Sequence, residues 1–227
     1  MEYSYFLDYG ILLFSLLITV GSSIHIRRTY AKTKKIETKR DINGYDAARK
    51  ILDSNDLKNV GINEVPVELS DHYDPRSKQV TISTDVYRLP TIASIAVASH
   101  ECGHALQDKE GYFFLRLRSR IVPIVNLASS LGYVVIMIGI FAGILKLLWF
   151  GILLELIILA FQLITLPVEF NASRRALQQI EKLNLVDSDE LKMCKKMLTA
   201  AALTYVAAVS TSILEIFRLV LIARRDD

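Results

Sequence analysis

His100, Glu101 and His104 stand in the run His-Glu-Cys-Gly-His. The spacing is that of H-E-x-x-H, and it has a mechanical meaning. On a helix, positions four apart lie on one face about 6 Å apart along the axis, so two imidazoles can converge on one tetrahedral metal ion. Zinc is the ion this pattern points to. Zinc acidifies a water molecule to near neutrality, and a glutamate beside the first histidine can take the proton as general base. Glu101 is that glutamate, and the chemistry implied is hydrolysis at a carbonyl carbon. A chance match is the competing explanation, and the context argues against it. The stretch from Thr91 to Ser99 is small and apolar, with neither glycine nor proline. Thr91, after Pro90, is a suitable N-cap, which places the motif in the middle of a helix. Gly103 costs helix propensity, but it lets another element approach closely.

A catalytic zinc takes a third protein ligand and keeps one position open. No histidine follows His104. Glu169 is the strongest candidate, in Leu166-Pro-Val-Glu-Phe-Asn-Ala-Ser-Arg-Arg-Ala176 at the end of an apolar stretch. An ionisable side chain at such a place is costly and usually functional. The competing reading pairs Glu169 with Arg174 or Arg175. Glu155 and Glu215 fall inside apolar stretches. Glu215 and Arg218, three apart on one helical face, are expected to pair with each other.

The elements that must position these residues are largely membranous. Apolar residues make up 52% of the chain and the mean hydropathy is positive, which argues against an ordinary soluble domain. Four stretches, Tyr9–Ile24, Val122–Leu145, Leu147–Val168 and Ala200–Ala223, each approach the ~20 residues a helix needs to cross ~30 Å of hydrocarbon. The first follows an acidic leader and lacks a clear cleavage site, so it reads as an uncleaved anchor. Basic residues gather at the ends of these stretches. Arg27, Arg28, Lys32, Lys34, Lys35, Lys39 and Arg40 follow the first, and Arg116, Arg118 and Arg120 precede the second. Arg174 and Arg175 follow the third, and Lys192, Lys195 and Lys196 precede the fourth.

By the positive-inside rule these segments are cytoplasmic, with the N-terminus outside and an outer turn near Lys146. Arg224 and Arg225 run against that scheme but are offset by Asp226 and Asp227; a partly interfacial fourth stretch is the alternative. The expected setting is the plasma membrane, with the active site facing the cytoplasm. The basic run from Arg27 to Arg40 is expected to meet anionic lipid headgroups rather than nucleic acid, and the net charge of +3 is too modest to suggest otherwise. Cys102 and Cys194 fall on the reducing side, where no disulfide is expected. Cys102 points off the ligand face, as a small buried thiol does.

The segment from Asp41 to Asp85 is soluble in composition. Tyr45, Ala48, Ile51 and Leu52 have helical spacing, with Asn43 as a cap and Asn55 and Asp56 as the end. Val65, Val67 and Leu69 alternate, as do Val80 and Ile82, with turn formers between them. This predicts a β-hairpin leading into the metal helix. An exposed edge there can take a peptide as an added strand; a hairpin that only braces the helix is the equal alternative.

His72-Tyr-Asp-Pro-Arg76, His100-Glu-Cys-Gly-His-Ala-Leu-Gln107 and Pro167-Val-Glu-Phe-Asn-Ala-Ser-Arg-Arg-Ala176 together resemble the YugP-like membrane zinc metallopeptidases over nearly the whole chain. More distantly the chain looks like the membrane gluzincins of heat-shock-protease and CAAX-protease type. Those insert a transmembrane hairpin between the H-E-x-x-H helix and a later E-x-x-x-D helix. The resemblance implies zinc held by His100, His104 and Glu169, Glu101 as the catalytic residue, and a cytoplasmic site. One departure matters. Four positions after the glutamate, where those relatives carry an aspartate that orients a ligand histidine, this chain has Ser173. Asn171 and Ser173 are the candidates for that supporting role. His72 could donate a hydrogen bond to the tetrahedral oxyanion; as a turn residue beside Asp71 and Asp74 it has an equally good structural reading. His25 is expected to be interfacial.

The expectation is therefore a mostly α integral membrane protein, with about four transmembrane helices and a small cytoplasmic α+β zincin-like catalytic part containing a β-hairpin. Its segments are an anchor over 1–26, the catalytic part over 27–120, a transmembrane hairpin over 121–168, a helical part carrying the third ligand over 169–199, and a last membrane helix over 200–227. The expected activity is zinc-dependent endopeptidase cleavage of peptide or membrane-protein substrates, in membrane-protein quality control. A non-catalytic scaffold stabilised by zinc, or a partner-binding protein, is the first alternative. An ion pathway through Glu155, Glu215 and Arg218 is the second, and the lack of obvious internal repeats counts against it.

Overall fold

The computed structural model describes residues 2–224. Arg225, Asp226 and Asp227, whose charges entered the orientation argument, lie outside the described residues, as does Met1. The elements are α1 (Glu2–Thr33), α2 (Gly44–Ser54), β1 (Gly61–Val65), β2 (His72–Asp74), β3 (Gln79–Ser83), α3 (Thr84–Arg88), α4 (Ile92–Lys109), α5 (Phe113–Phe141), α6 (Leu145–Lys182) and α7 (Ser188–Ala223). The chain is mostly helical with one small sheet, as expected. Among the described residues four helices, α1, α5, α6 and α7, are long and apolar enough to cross a membrane. They leave large apolar side chains such as Phe14, Leu17, Leu127, Leu153 and Phe217 uncovered by protein. In water that would be a large unburied apolar surface; for helices of membrane length it is the face a bilayer covers.

The chain divides into two compact units. One comprises the segment ending at Ser23, Arg116–Leu166 and the segment starting at Thr204. Its core is formed by Ile136, Leu148, Ile152, Leu219 and Ala223. Here α5 and α6 are joined by a turn at residues 142–144, in which Gly143 has φ +63°. That left-handed conformation suits glycine and ends the helix. The turn thus falls just ahead of Lys146, which lies exposed in the first turn of α6. A Cβ on Gly139 would sit 2.8 Å from the Leu148 backbone nitrogen, so the two helices pack backbone to backbone.

The other unit comprises Ile24–Leu115 and Pro167–Leu203. Its core gathers Ile51 and Leu52 of α2, Val80 and Ile82 of β3, Ile92 and Ile95 of α4, and Ile180 of α6. Asn43 caps α2 by accepting from the Asp46 amide at 2.8 Å, and Thr91 caps α4 by accepting from the Ser94 amide at 3.2 Å. Each relieves one of the amides a helix start leaves unpaired, and both helices begin where these residues predict.

The sheet corrects one detail of the sequence reading. Its strand order is β1-β3-β2, with β1 parallel and β2 antiparallel to β3. The hairpin is β2–β3, and its first strand is His72–Asp74, not the run through Val67 and Leu69. Pro66 explains the difference: it has no amide to donate, so pairing stops at Val65. Val67 and Leu69 are exposed, and Leu69 has φ +59°. The hairpin turn is built by Asp74, whose carboxylate accepts from the Arg76 amide at 2.9 Å and the Ser77 hydroxyl at 2.7 Å.

Candidate metal centre

The site forms where α4 meets the part of α6 that follows Pro167. Gly103 makes this meeting possible. A Cβ there would lie 2.5 Å from the Ala172 carbonyl oxygen and 3.2 Å from its Cα, so only glycine lets the two backbones touch. The close approach expected of Gly103 is present, and it brings Glu169 of α6 against the face of α4 that carries both histidines.

His100, His104 and Glu169 form a group of three potential ligands whose donor atoms all lie within 4.8 Å of one another. The Glu169 Oε2 atom is 3.2 Å from His100 Nε2 and 3.7 Å from His104 Nε2. The two rings stand edge to face, 84° apart with centroids 4.8 Å apart. Glu169 is 3% exposed and His104 8%. The competing partner for Glu169 is engaged elsewhere. Arg175 makes a two-pronged pair with Glu110, at 2.6 and 2.7 Å, and Arg174 is exposed.

The hydrogen bonds behind His104 fix which nitrogen carries the proton. Gln107 Nε2 donates to the Val168 carbonyl at 2.8 Å and to Asn171 Oδ1 at 3.0 Å. Asn171 Oδ1 also accepts from Arg175 Nε at 2.6 Å. A backbone carbonyl only accepts and a guanidinium only donates, so both amides have one permitted orientation. Gln107 Oε1 is left facing His104 Nδ1 at 2.9 Å, and that nitrogen must be the donor. With the proton on Nδ1, Nε2 is the nitrogen that faces the Glu169 carboxylate and is available to a metal ion. Two buried acceptors facing each other repel unless a cation or a proton lies between them.

At His100 the Nδ1 partner is the Ser173 hydroxyl, at 3.2 Å. A hydroxyl can donate or accept, so Ser173 supports the ring without choosing its tautomer. Two imidazole nitrogens and one carboxylate oxygen are a donor set that fits zinc with an open fourth position.

Glu101 is buried at the same place on α4. Burial pushes its carboxyl up to about 7; nearby Glu169 and Asp71 add to the rise, while His100 and His72 oppose it. His72 lies exposed on β2, with Nδ1 2.7 Å from the Ser70 carbonyl. That carbonyl only accepts, so Nδ1 carries a proton, and Nε2 can donate only when the ring is positively charged. Asp71 is held by the Ser83 amide and hydroxyl at 2.7 and 3.1 Å. Cys102 turns to the Ala48 carbonyl, away from the ligands, and burial raises its thiol. Glu215 pairs with Arg218 in the other unit, as its spacing predicts.

The two supporting candidates are thus placed differently. Ser173 touches a ligand histidine, whereas Asn171 acts through Gln107. Gln107 and Glu110 had no assigned role in the sequence reading, and Arg175 was considered there only as a partner for Glu169 and as a basic flanking residue. Gln107 was within reach of that reading, being three residues after His104 and seven after His100 on one helical face.

Helices of membrane length and a buried His–His–Glu cluster beside a glutamate define a membrane protein of the zinc-peptidase type. Residues 9–224 match the family described as "Putative neutral zinc metallopeptidase", and the chain belongs to it. It is 42% identical over 205 residues to the "Putative membrane protease YugP" of Bacillus subtilis (strain 168), a similarity covering 90% of this chain and 91% of that protein. No solved structure matches.

Proposed function

We propose that this protein is a membrane-embedded zinc endopeptidase, with the metal held by Nε2 of His100, Nε2 of His104 and the Glu169 carboxylate in a gluzincin-type set. The observation that carries this reading is the buried Glu169 oxygen 3.2 and 3.7 Å from the two imidazole nitrogens. When bound, zinc would lower the pKa of a coordinated water toward 7 and polarise the scissile carbonyl.

The rest of the chemistry belongs to the chain. Glu101 takes the proton of the attacking water as its oxygen adds to the carbonyl carbon. It returns that proton to the amide nitrogen as the C–N bond breaks. Burial makes Glu101 a stronger base than an exposed glutamate, in the range suited to neutral pH; the cation's charge acts in the opposite direction. Positively charged His72 can donate to the oxyanion from Nε2. An extended substrate would add along the open edge of β2, which Tyr73 ties to α4 by donating to Asp108 at 2.7 Å. The distribution of Lys and Arg favours a site facing the cytoplasm. Substrates are then membrane proteins or unfolded segments near the bilayer, consistent with a quality-control role.

The test is zinc content and peptide cleavage measured together on detergent-purified protein. Wild type should hold about one zinc per chain and cleave a loosely folded protein substrate. Glu101→Gln should keep the zinc and lose activity by about 10²–10⁴-fold. Unchanged cleavage in Glu101→Gln would sink the catalytic reading, and wild type without zinc would sink the site.

A further inference from the structure

Outside the metal centre, a cleft of about 730 Å³ lies between the C-terminal turns of α1 and the first turns of α7. Its walls carry His25, Arg28 and Lys32 from α1 and Lys192, Lys195 and Lys196 from α7. Two basic runs far apart in sequence therefore face one space. No acidic side chain lines it. Among the described residues, of the five Lys and Arg side chains here only Lys192 makes an ion pair, with Asp189 at 2.9 Å, which leaves Arg28, Lys32, Lys195 and Lys196. Four cations around one cleft repel one another, so the cleft favours an anion.

The floor is of another character. Thr33 and Ala200 are buried there, with Ile36 and Met193 half-buried beside them. Thr33 Oγ1 reaches Met197 Sδ at 3.7 Å and joins the two helices beneath the cleft. The cleft is also polarised along its length. At the His25 and Ala200 end both helices run directly into apolar stretches, Tyr9–Ile24 and Ala200–Ala223, whereas Lys32 and Lys192 mark the opposite end. A soluble phosphate would have no use for an apolar floor continuous with membrane-length sequence. A molecule with an anionic head and hydrocarbon tails matches both ends.

We propose that this cleft binds one anionic phospholipid, its phosphate among Arg28, Lys32, Lys195 and Lys196 and its acyl chains over the floor at Met193 and Ala200, pointing to the apolar end. The site does not depend on the protease reading. It is also narrower than general attraction of a basic segment to a charged surface, because it needs both helices.

Native mass spectrometry of the full chain in detergent tests it, with phosphatidylglycerol and phosphatidylcholine of matched chain length as probes. One phosphatidylglycerol should be retained per chain, at least tenfold more tightly than phosphatidylcholine. The variant R28Q/K32Q/K195Q/K196Q should lose that preference. Should it not fold, Lys196→Glu alone should weaken the preference severalfold. The charge-keeping variant R28K/K32R/K195R/K196R should retain it. So should R116Q/R120Q, which removes juxtamembrane charge elsewhere. An equal loss in R116Q/R120Q would reduce the effect to diffuse surface attraction and overturn the proposal. Equal binding of the two lipids, or displacement of phosphatidylglycerol by millimolar inorganic phosphate, would overturn it too.

Discussion

Two glutamates on long apolar helices meet opposite surroundings. Glu215 of α7 receives both prongs of Arg218, at 2.9 and 2.5 Å, so its charge is neutralised within one turn of its own helix. Glu169 of α6 also has an arginine on its own helix, yet Arg175 turns to Glu110 and Asn171. Two imidazole nitrogens face Glu169, at 3.2 and 3.7 Å. A carboxylate in apolar surroundings needs a positive partner. Glu215 finds one on its own helix, whereas Glu169 lies with His100 and His104 in a group that could hold a metal ion. The nearby arginine serves another purpose, orienting the amides that in turn orient His104.

The largest effect should come from exchanging the two glutamates' fates. Glu169→Ala should weaken zinc binding by more than about 100-fold, a whole ligand being lost. Glu215→Gln should leave zinc affinity unchanged, as read by competition with a chromogenic chelator. Equal losses in both would erase the distinction. Next comes the crossing that delivers Glu169. Gly103→Ala puts a methyl group where the Ala172 carbonyl now sits, and zinc affinity should fall by at least about tenfold even though every ligand remains.

The supporting bonds rank below these, and they separate the two histidines. Gln107→Leu removes the acceptor that sets the His104 tautomer and should cost about 10–100-fold in zinc affinity. Ser173→Ala should cost only a few-fold, since a hydroxyl does not choose a tautomer; a larger loss than in Gln107→Leu would reverse the assignment.

The smallest effect is on stability and depends on pH. Burial raises Glu101 to about 7 from an ordinary 4.5, so between those values the folded, chelator-treated protein holds a proton the unfolded chain has released. Its stability therefore falls as pH rises through that window. Glu101→Gln removes the penalty. Its melting temperature should match wild type at pH 4 and exceed it by a few degrees at pH 8. A gap that grows toward acid would refute this.

Parts of the molecule were legible in the sequence because their causes are local. The Thr91 cap and the i, i+4 histidines announce α4, and Gly103 signals a close neighbour. Glu169 stands out because a charge at the end of an apolar run is expensive. What was not legible depends on partners distant in sequence. The parallel pairing of β1 with β3 has no local signature, and Pro66 alone hinted that Val67 and Leu69 were outside the strand. The route from Glu110 through Arg175, Asn171 and Gln107 to His104 crosses between α4 and α6, so no single stretch contains it. The cleft between α1 and α7 escaped for the same reason: each basic run looks complete when read alone.

The crossing at Gly103 has a consequence for the chain as a polymer. His104 and Glu169 are separated by all of α5 and most of α6, and a shared ion would close that stretch into a loop. It would act as a cross-link, removing conformational entropy from the unfolded ensemble much as a disulfide does. Unlike a disulfide, it would open on chelation or acidification rather than on reduction. In a chain whose two cysteines are both buried and free, that is a tether the redox state of the compartment cannot cut.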